Sequence, residues 1–301
     1  MPALERLRAG RHPVVAVVSQ PDRPRGRGRR PSPSPVARAA LAAGVPVLRP
    51  ERVGEPGVAD ALARFEPDLG VVVAFGQFLP RRIRELPRLG YLINAHASLL
   101  PRLRGAAPIA RAILEGEAET GISVMRVERE MDAGPVALVR RTPIGSDEDE
   151  GRLAARLAGL AADALAEAVE RAAEGTLAWT PQDPARATFA PRLEPAETRL
   201  DFREPAAALA RRVRALAPRP GARTALAGEP LRILAARAHP GPVDAAPGSV
   251  RVAGGALRIA TGDGWLEPRV LQRAGKRPLD AESFLRGHPI PDGTRLDSDG
   301  S

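Results

Sequence analysis

Residues 69–75, LGVVVAF, form an apolar run with no polar alternation. A strand with one wet face alternates apolar and polar side chains, whereas a parallel strand covered on both faces does not. This run therefore directs the chain towards a sheet with helices on both sides. Its neighbours agree: VVAVV at 14–18, the short stretch 45–48, and segments 91–95, 121–128 and 136–143 have strand character. Segments 4–9, 36–43, 58–65, 81–86 and 106–115 read as helices between them. Strands alternating with helices predict an α/β fold with a doubly wound, mostly parallel, Rossmann-like sheet.

Residues 147–174 read as one long Ala/Leu helix, with Ser146 as its cap and the acids 147–150 near its positive N-terminal end. That placement explains the acidic cluster without a metal. Residues 180–204, rich in Pro, Thr and charge, read as a linker. Beyond it come a helix at 205–216 and short strands near 231–237, 248–252, 256–261 and 265–272, with turns at Gly-Glu-Pro, Gly-Gly and Gly-Asp-Gly. This pattern predicts a small C-terminal OB-like β-barrel. The expected organisation is thus a domain over 1–179, a linker over 180–204, and a barrel over 205–301 with a disordered tail from about 292.

Cysteine is absent, which excludes disulfides and thiolate metal sites and fits a reducing compartment. No apolar stretch approaches the roughly 18–20 residues that span a bilayer, and MPALERLRAGRHP lacks a signal-peptide core, so a cytoplasmic location and no membrane partner are expected. Net charge is +9, and Lys276 is the single lysine. Such an excess favours a polyanionic partner, although a general bias towards Ala, Arg, Pro and Gly produces it too. Residues 203–301 hold 16 basic against 10 acidic residues, so the smaller domain is the more basic.

The chemistry is concentrated in residues 91–108, YLINAHASLLPRLRGAAP. Here an apolar run ends in Asn94 and His96, followed at once by a turn over Ser98, Leu99, Leu100 and Pro101. Sheet enzymes place their chemistry at the carboxyl ends of strands. Side-chain alternation points Asn94 and His96 to one side. An amide beside an imidazole can hold a developing oxyanion and manage one proton. Asp132, in MDAGPV, reads as a turn former whose catalytic use requires the fold to bring it beside His96.

Residues 21–35, PDRPRGRGRRPSPSP, carry too much Pro and Gly for regular structure and read as a long basic loop. Arg23, Arg25, Arg27, Arg29 and Arg30 stand against Asp22 alone. From the residues, this is equally a phosphate clamp or a solvated charge run. The loop lacks the dinucleotide fingerprint, no Walker pattern occurs, and His12, His239 and His288 are isolated, so no metal site is expected.

INAHASLLPRLRGAAPI, with Asp132 in MDAGPV, resembles the folate-dependent formyltransferases. QPDRPRGRGRRPSPSPV, VVVAFGQFLP and ATGDGWLEPRVLQRAGKRPLDAESFLRG resemble the branch acting on aminoacyl-tRNA, so the likeness covers nearly the whole chain. The resemblance implies catalysis by Asn94, His96 and Asp132, and a folate contact at Ser98, Leu99, Leu100 and Pro101. It further implies tRNA contact by Arg25, Arg27, Arg29 and Arg30. The implied reaction is formyl transfer from 10-formyltetrahydrofolate to methionyl-initiator tRNA, without a metal or DNA, by a monomer. Small-amine acceptors (glycinamide ribonucleotide or an amino sugar) and an inactive tRNA-binding relative are the alternatives. Two departures stand out. Leu103 replaces a common aromatic, and the family's first strand and Gly-Thr-Pro turn are missing ahead of PALERL. A misassigned Met1, with about a dozen residues upstream, is the expectation, and a natural pseudo-enzyme the alternative.

Overall fold

The computed structural model describes residues 1–25, 30–253 and 255–297. Two compact units emerge: Met1–Gly105 with Gly121–Thr142 and Arg156–Phe189, and Ala106–Thr120 with Pro143–Ala155 and Ala190–Ser301.

The first unit is α/β. Strand Gly70–Val72 runs parallel to Leu92–His96, with Val72 beside Asn94. Leu92–His96 then pairs antiparallel with Glu119–Arg126, with His96 opposite Ser123, and Val136–Pro143 follows at the edge. The strand Leu92–His96 is central because Leu92 and Ile93 are buried apolar residues while both of its neighbours hydrogen-bond to it. Val17–Val18 pairs in parallel with Val47–Leu48 as a separate two-stranded sheet. The strand expected over 14–18 is shortened to the two residues that have a partner. Helix Pro35–Ala42 starts where expected for a local reason: Ser34 accepts from the Ala37 amide at 3.1 Å, and Pro35 needs no donor at the first helical position.

The long helix is Glu150–Ala173. Its cap is Asp149, which accepts from the Arg152 amide at 2.8 Å, rather than Ser146. A carboxylate there serves both the orphan amide and the helix dipole. Within the first unit its buried residues Leu157, Ala161, Ala164, Leu165, Ala168 and Ala172 form one stripe at helical spacing.

The basic segment differs from the expected irregular loop. Arg23–Arg25 and Arg30–Ser32 pair antiparallel, with Pro24 opposite Pro31 and Arg25 opposite Arg30. Proline is tolerated because the two face each other as one pair: antiparallel ribbons alternate hydrogen-bonded and unbonded pairs, and an unbonded pair needs no N–H.

In the second unit, six strands run in the order Val250–Ala253, Ala256–Ala260, Trp265–Arg273, Glu229–His239, Ala222–Leu226 and Leu296–Asp297, and Leu279–Asp280 pairs beside Trp265–Arg273. The ends of this order meet, since Ser249 bridges Arg295 and the Gly293 amide donates to Val250 O, so the antiparallel sheet curls on itself. Helix Ala206–Leu216 packs Leu209, Val213 and Leu216 into its core with Phe202, Ile233 and Leu266. Leu296, within the segment expected to be a disordered tail, is 1% exposed and pairs with Leu226, because a buried apolar residue anchors the chain end. Residues 298–301 lie outside the described residues.

Arg111 ties this unit together by donating to both Glu197 carboxylate oxygens, at 2.6 and 2.9 Å, and to Pro191 O. The Arg111 bond, followed by the Glu194 amide, holds the Glu197 carboxyl below its ordinary range. A depressed folded pKa gives stability that is full above the ordinary carboxylate value and is lost as the pH falls through the folded value. Arg111→Ala is expected to cost about 2 kcal/mol in urea unfolding at neutral pH. That difference should shrink as the solution is acidified below about pH 4.

Candidate active site

Asn94 and His96 lie on the last turns of the central strand's pleat, two residues apart and therefore on one face. His96 is 6% exposed, and its Nε2 lies 2.9 Å from Leu103 O. A carbonyl can only accept, so Nε2 carries the proton and donates it. The other ring nitrogen, Nδ1, faces Asp132 Oδ2 at 3.5 Å. Nδ1 is thus the ring position left for proton exchange, and a carboxylate stands opposite it. The half-buried Asn94 side chain makes no hydrogen bond among the described residues, which leaves its amide for a ligand.

The loop after the strand is shaped to present the Leu103 carbonyl. Leu103 adopts a left-handed φ of 57°, a costly conformation for a branched side chain that its surroundings must hold. Its amide donates to Thr188 Oγ1 at 2.9 Å, and the next amide, of Arg104, donates to Thr188 O at 2.9 Å. Ser98 is fully buried; its hydroxyl donates to Arg102 O at 2.6 Å, and its own carbonyl accepts from Ser123 Oγ. Ser98 therefore holds the loop's shape, while half-buried Leu99, Leu100 and Pro101 supply its apolar surface.

Asp132 comes from the connection between strands Glu119–Arg126 and Val136–Pro143. Its φ is 53°, which a short polar side chain tolerates better than most. Oδ2, the atom facing His96, also accepts from the Gly105 amide at 2.9 Å. Gly134 lets the connection close: a Cβ there would sit 2.0 Å from Arg126 O, against which the chain folds through the Arg126 amide to Pro135 O bond.

The structure thus brings Asn94, His96 and Asp132 together, and the Ser98–Pro101 turn adjoins them in the chain. Arg25 and Arg30 sit opposite each other in the paired basic strands, and Arg27 and Arg29 lie outside the described residues. Gln182, Arg104 and Thr188, which hold the two loops, were not among the residues singled out by sequence. Gln182 falls in a proline-rich stretch with no periodicity to mark it.

Residues 2–169 match the formyl transferase family model, and residues 192–289 match the formyl transferase C-terminal domain. The chain belongs to the formyl transferase family. It is 45% identical over 295 residues to a methionyl-tRNA formyltransferase of Roseiflexus castenholzii, covering 97% of this chain and 94% of that one. It is 46% identical to the methionyl-tRNA formyltransferase of Ruegeria pomeroyi, covering 98% and 96%. Among solved structures, an N-formyltransferase of Helicobacter canadensis with folinic acid and dTDP-3-aminofucose matches with a TM-score of 0.66 at 14% identity, covering 88% of this chain and 93% of that one. HypX of Aquifex aeolicus with tetrahydrofolic acid matches with a TM-score of 0.60 at 20% identity, covering 82% and 43%. These two share the fold of this chain. It is a formyltransferase by family, and no helix among its described residues is long and apolar enough to cross a membrane.

The close approach at Gly134 makes a direct prediction. Gly134→Ala forces the Asp132 connection away from Arg126, so stability should fall by about 2–4 kcal/mol. Turnover should be lost even at temperatures where the variant remains folded by circular dichroism.

Proposed function

We propose that the chain transfers the formyl group of 10-formyltetrahydrofolate to the α-amino group of the methionine on initiator tRNA. The observation that carries the reading is the triad geometry: an amide with no partner among the described residues, beside an imidazole whose Nδ1 faces a carboxylate. Relatives at about 45% identity that cover nearly all of this chain are named methionyl-tRNA formyltransferase, which supports the reading.

Each residue has a distinct task. As the free amine adds to the formyl carbon, negative charge gathers on the formyl oxygen. The Asn94 amide donates to that oxygen, and His96 supplies a second donor when Nδ1 holds a proton. Preorganised donors of this kind act where charge develops and need no reorganisation. Asp132 faces the same nitrogen, so it orients the ring and receives, through it or through water, the proton that the amine sheds; collapse of the tetrahedral adduct then breaks the bond from the formyl carbon to N10 of the folate, which takes up a proton and leaves as tetrahydrofolate. The low exposure of His96 and Asp132, 6% and 13% for their side chains, keeps competing water out of this exchange. Leu99, Leu100 and Pro101 offer an apolar surface to the folate, with Ser98 holding their turn. The basic segment carrying Arg25, Arg27, Arg29 and Arg30, together with the basic residues 203–301, takes the tRNA phosphates.

The deciding experiment is formyl transfer from 10-formyltetrahydrofolate to methionyl-initiator tRNA, with glycinamide ribonucleotide and a nucleotide-linked amino sugar as competing acceptors. Turnover on the tRNA alone supports the reading, and turnover on a small amine contradicts it. Asn94→Ala should lower kcat by roughly 100–1,000-fold with little change in the tRNA KM. Replacing Arg25 and Arg30 together by Ala should raise the tRNA KM, flatten its salt dependence and leave folate binding unchanged.

A further inference from the structure

Gln182 lies in the stretch between the two family-matched segments, yet all the hydrogen-bonding capacity of its amide is directed at the active-site loops. Its Nε2 donates one hydrogen to Asp132 O at 2.8 Å and the other to Gly134 O at 2.7 Å. Its Oε1 accepts twice from Arg104, from Nε at 3.1 Å and from a terminal nitrogen at 2.8 Å. Arg104 is 5% exposed and follows Leu103, whose carbonyl fixes His96. The amide therefore joins the loop that orients the imidazole to the turn that carries the carboxylate. Glutamine is the one uncharged side chain of that length with two donors and a two-lone-pair acceptor.

We propose that Gln182 is a positioning residue for the transfer reaction: it sets the Asp132 carboxylate against His96 Nδ1 by clamping the left-handed Asp132 turn to Arg104. This rests on the reading of Asn94, His96 and Asp132 given above. The clamp acts on backbone carbonyls on either side of Ala133, so it governs where Asp132 Oδ2 sits without touching substrate. Misplacement of a reacting group by about 1 Å costs roughly 100-fold in rate.

The test is Gln182→Glu. A carboxylate of the same shape still accepts from Arg104, so the buried guanidinium keeps its partner and the fold survives. Its oxygens, however, can donate nothing to Asp132 O and Gly134 O, and they repel both carbonyls. Single-turnover formyl transfer should slow by roughly 100-fold at a temperature where the variant remains folded by circular dichroism, with the KM values for folate and tRNA unchanged. In an Asp132→Asn background, which keeps the Gly105 contact, the same substitution should cause no further loss, because its effect passes through Asp132. Unchanged turnover in a folded Gln182→Glu enzyme, beside a slow Asp132→Asn enzyme, overturns this inference and spares the site assignment. An equal loss in both backgrounds overturns it too, since Gln182 would then act elsewhere. Full turnover in Asp132→Asn overturns the site assignment and the inference together.

Discussion

The hydrogen bond from His96 Nε2 to Leu103 O is the constraint on which the site depends. It settles which ring nitrogen holds a proton and so which one faces Asp132. The acceptor is a backbone carbonyl, and its direction is set by the course of the loop. That course is not intrinsically favoured: Leu103 is left-handed, and two bonds to Thr188 hold it and Arg104 in place. Asp132 is left-handed as well and is held by the Gly105 amide and by Gln182. Two locally strained turns are thus fixed against each other, as expected where a rigid frame must impose an unusual geometry on reacting groups.

Much of the frame was legible in the sequence because it obeys simple periodicities. The apolar run at 69–75 does contain a parallel strand, Gly70–Val72, but it lies half-buried at the edge of its sheet rather than covered on both faces, and Val73 beside it is 45% exposed; the expected strand at 136–143 has the observed bounds. Asn94 and His96 share a face because strand alternation requires it. What escaped depends on contacts distant in the chain. The strand Ala222–Leu226 was missed because ARTAL lacks a strong strand pattern, and its identity comes from pairing with Glu229–His239. The paired strands Arg23–Arg25 and Arg30–Ser32 stand where Pro and Gly predict irregular chain; only the register shows that the prolines oppose each other. Nearness of Asp132 to His96, the buried role of the Ser98 hydroxyl and the two-sided bonding of Gln182 all require segments far apart in sequence to meet.

The abundance of arginine also divides into two uses that composition cannot separate. Arg111 pairs with Glu197, Arg212 with Glu204, and Arg203 with Asp201, whose carboxyl is lowered to about 2 chiefly by the Arg203 side-chain bond. Arg104 and Arg211 instead donate to an amide oxygen and a main-chain carbonyl. Planar guanidinium groups suit both tasks, since several fixed donors can satisfy convergent oxygens at once. Part of the arginine content is therefore internal scaffolding, and the number of arginines overstates what is offered to a polyanion.

The most direct measurement is nitrogen NMR of the protein with 15N-labelled histidine. The chain has four histidines, so His96→Gln assigns the ring of interest. His96 Nε2 should carry a proton at neutral pH, with coupling across the hydrogen bond to the Leu103 carbonyl carbon. A bare Nε2, with the ring proton on Nδ1 alone, would contradict it, because the carbonyl would then have no donor and Asp132 would face a different tautomer.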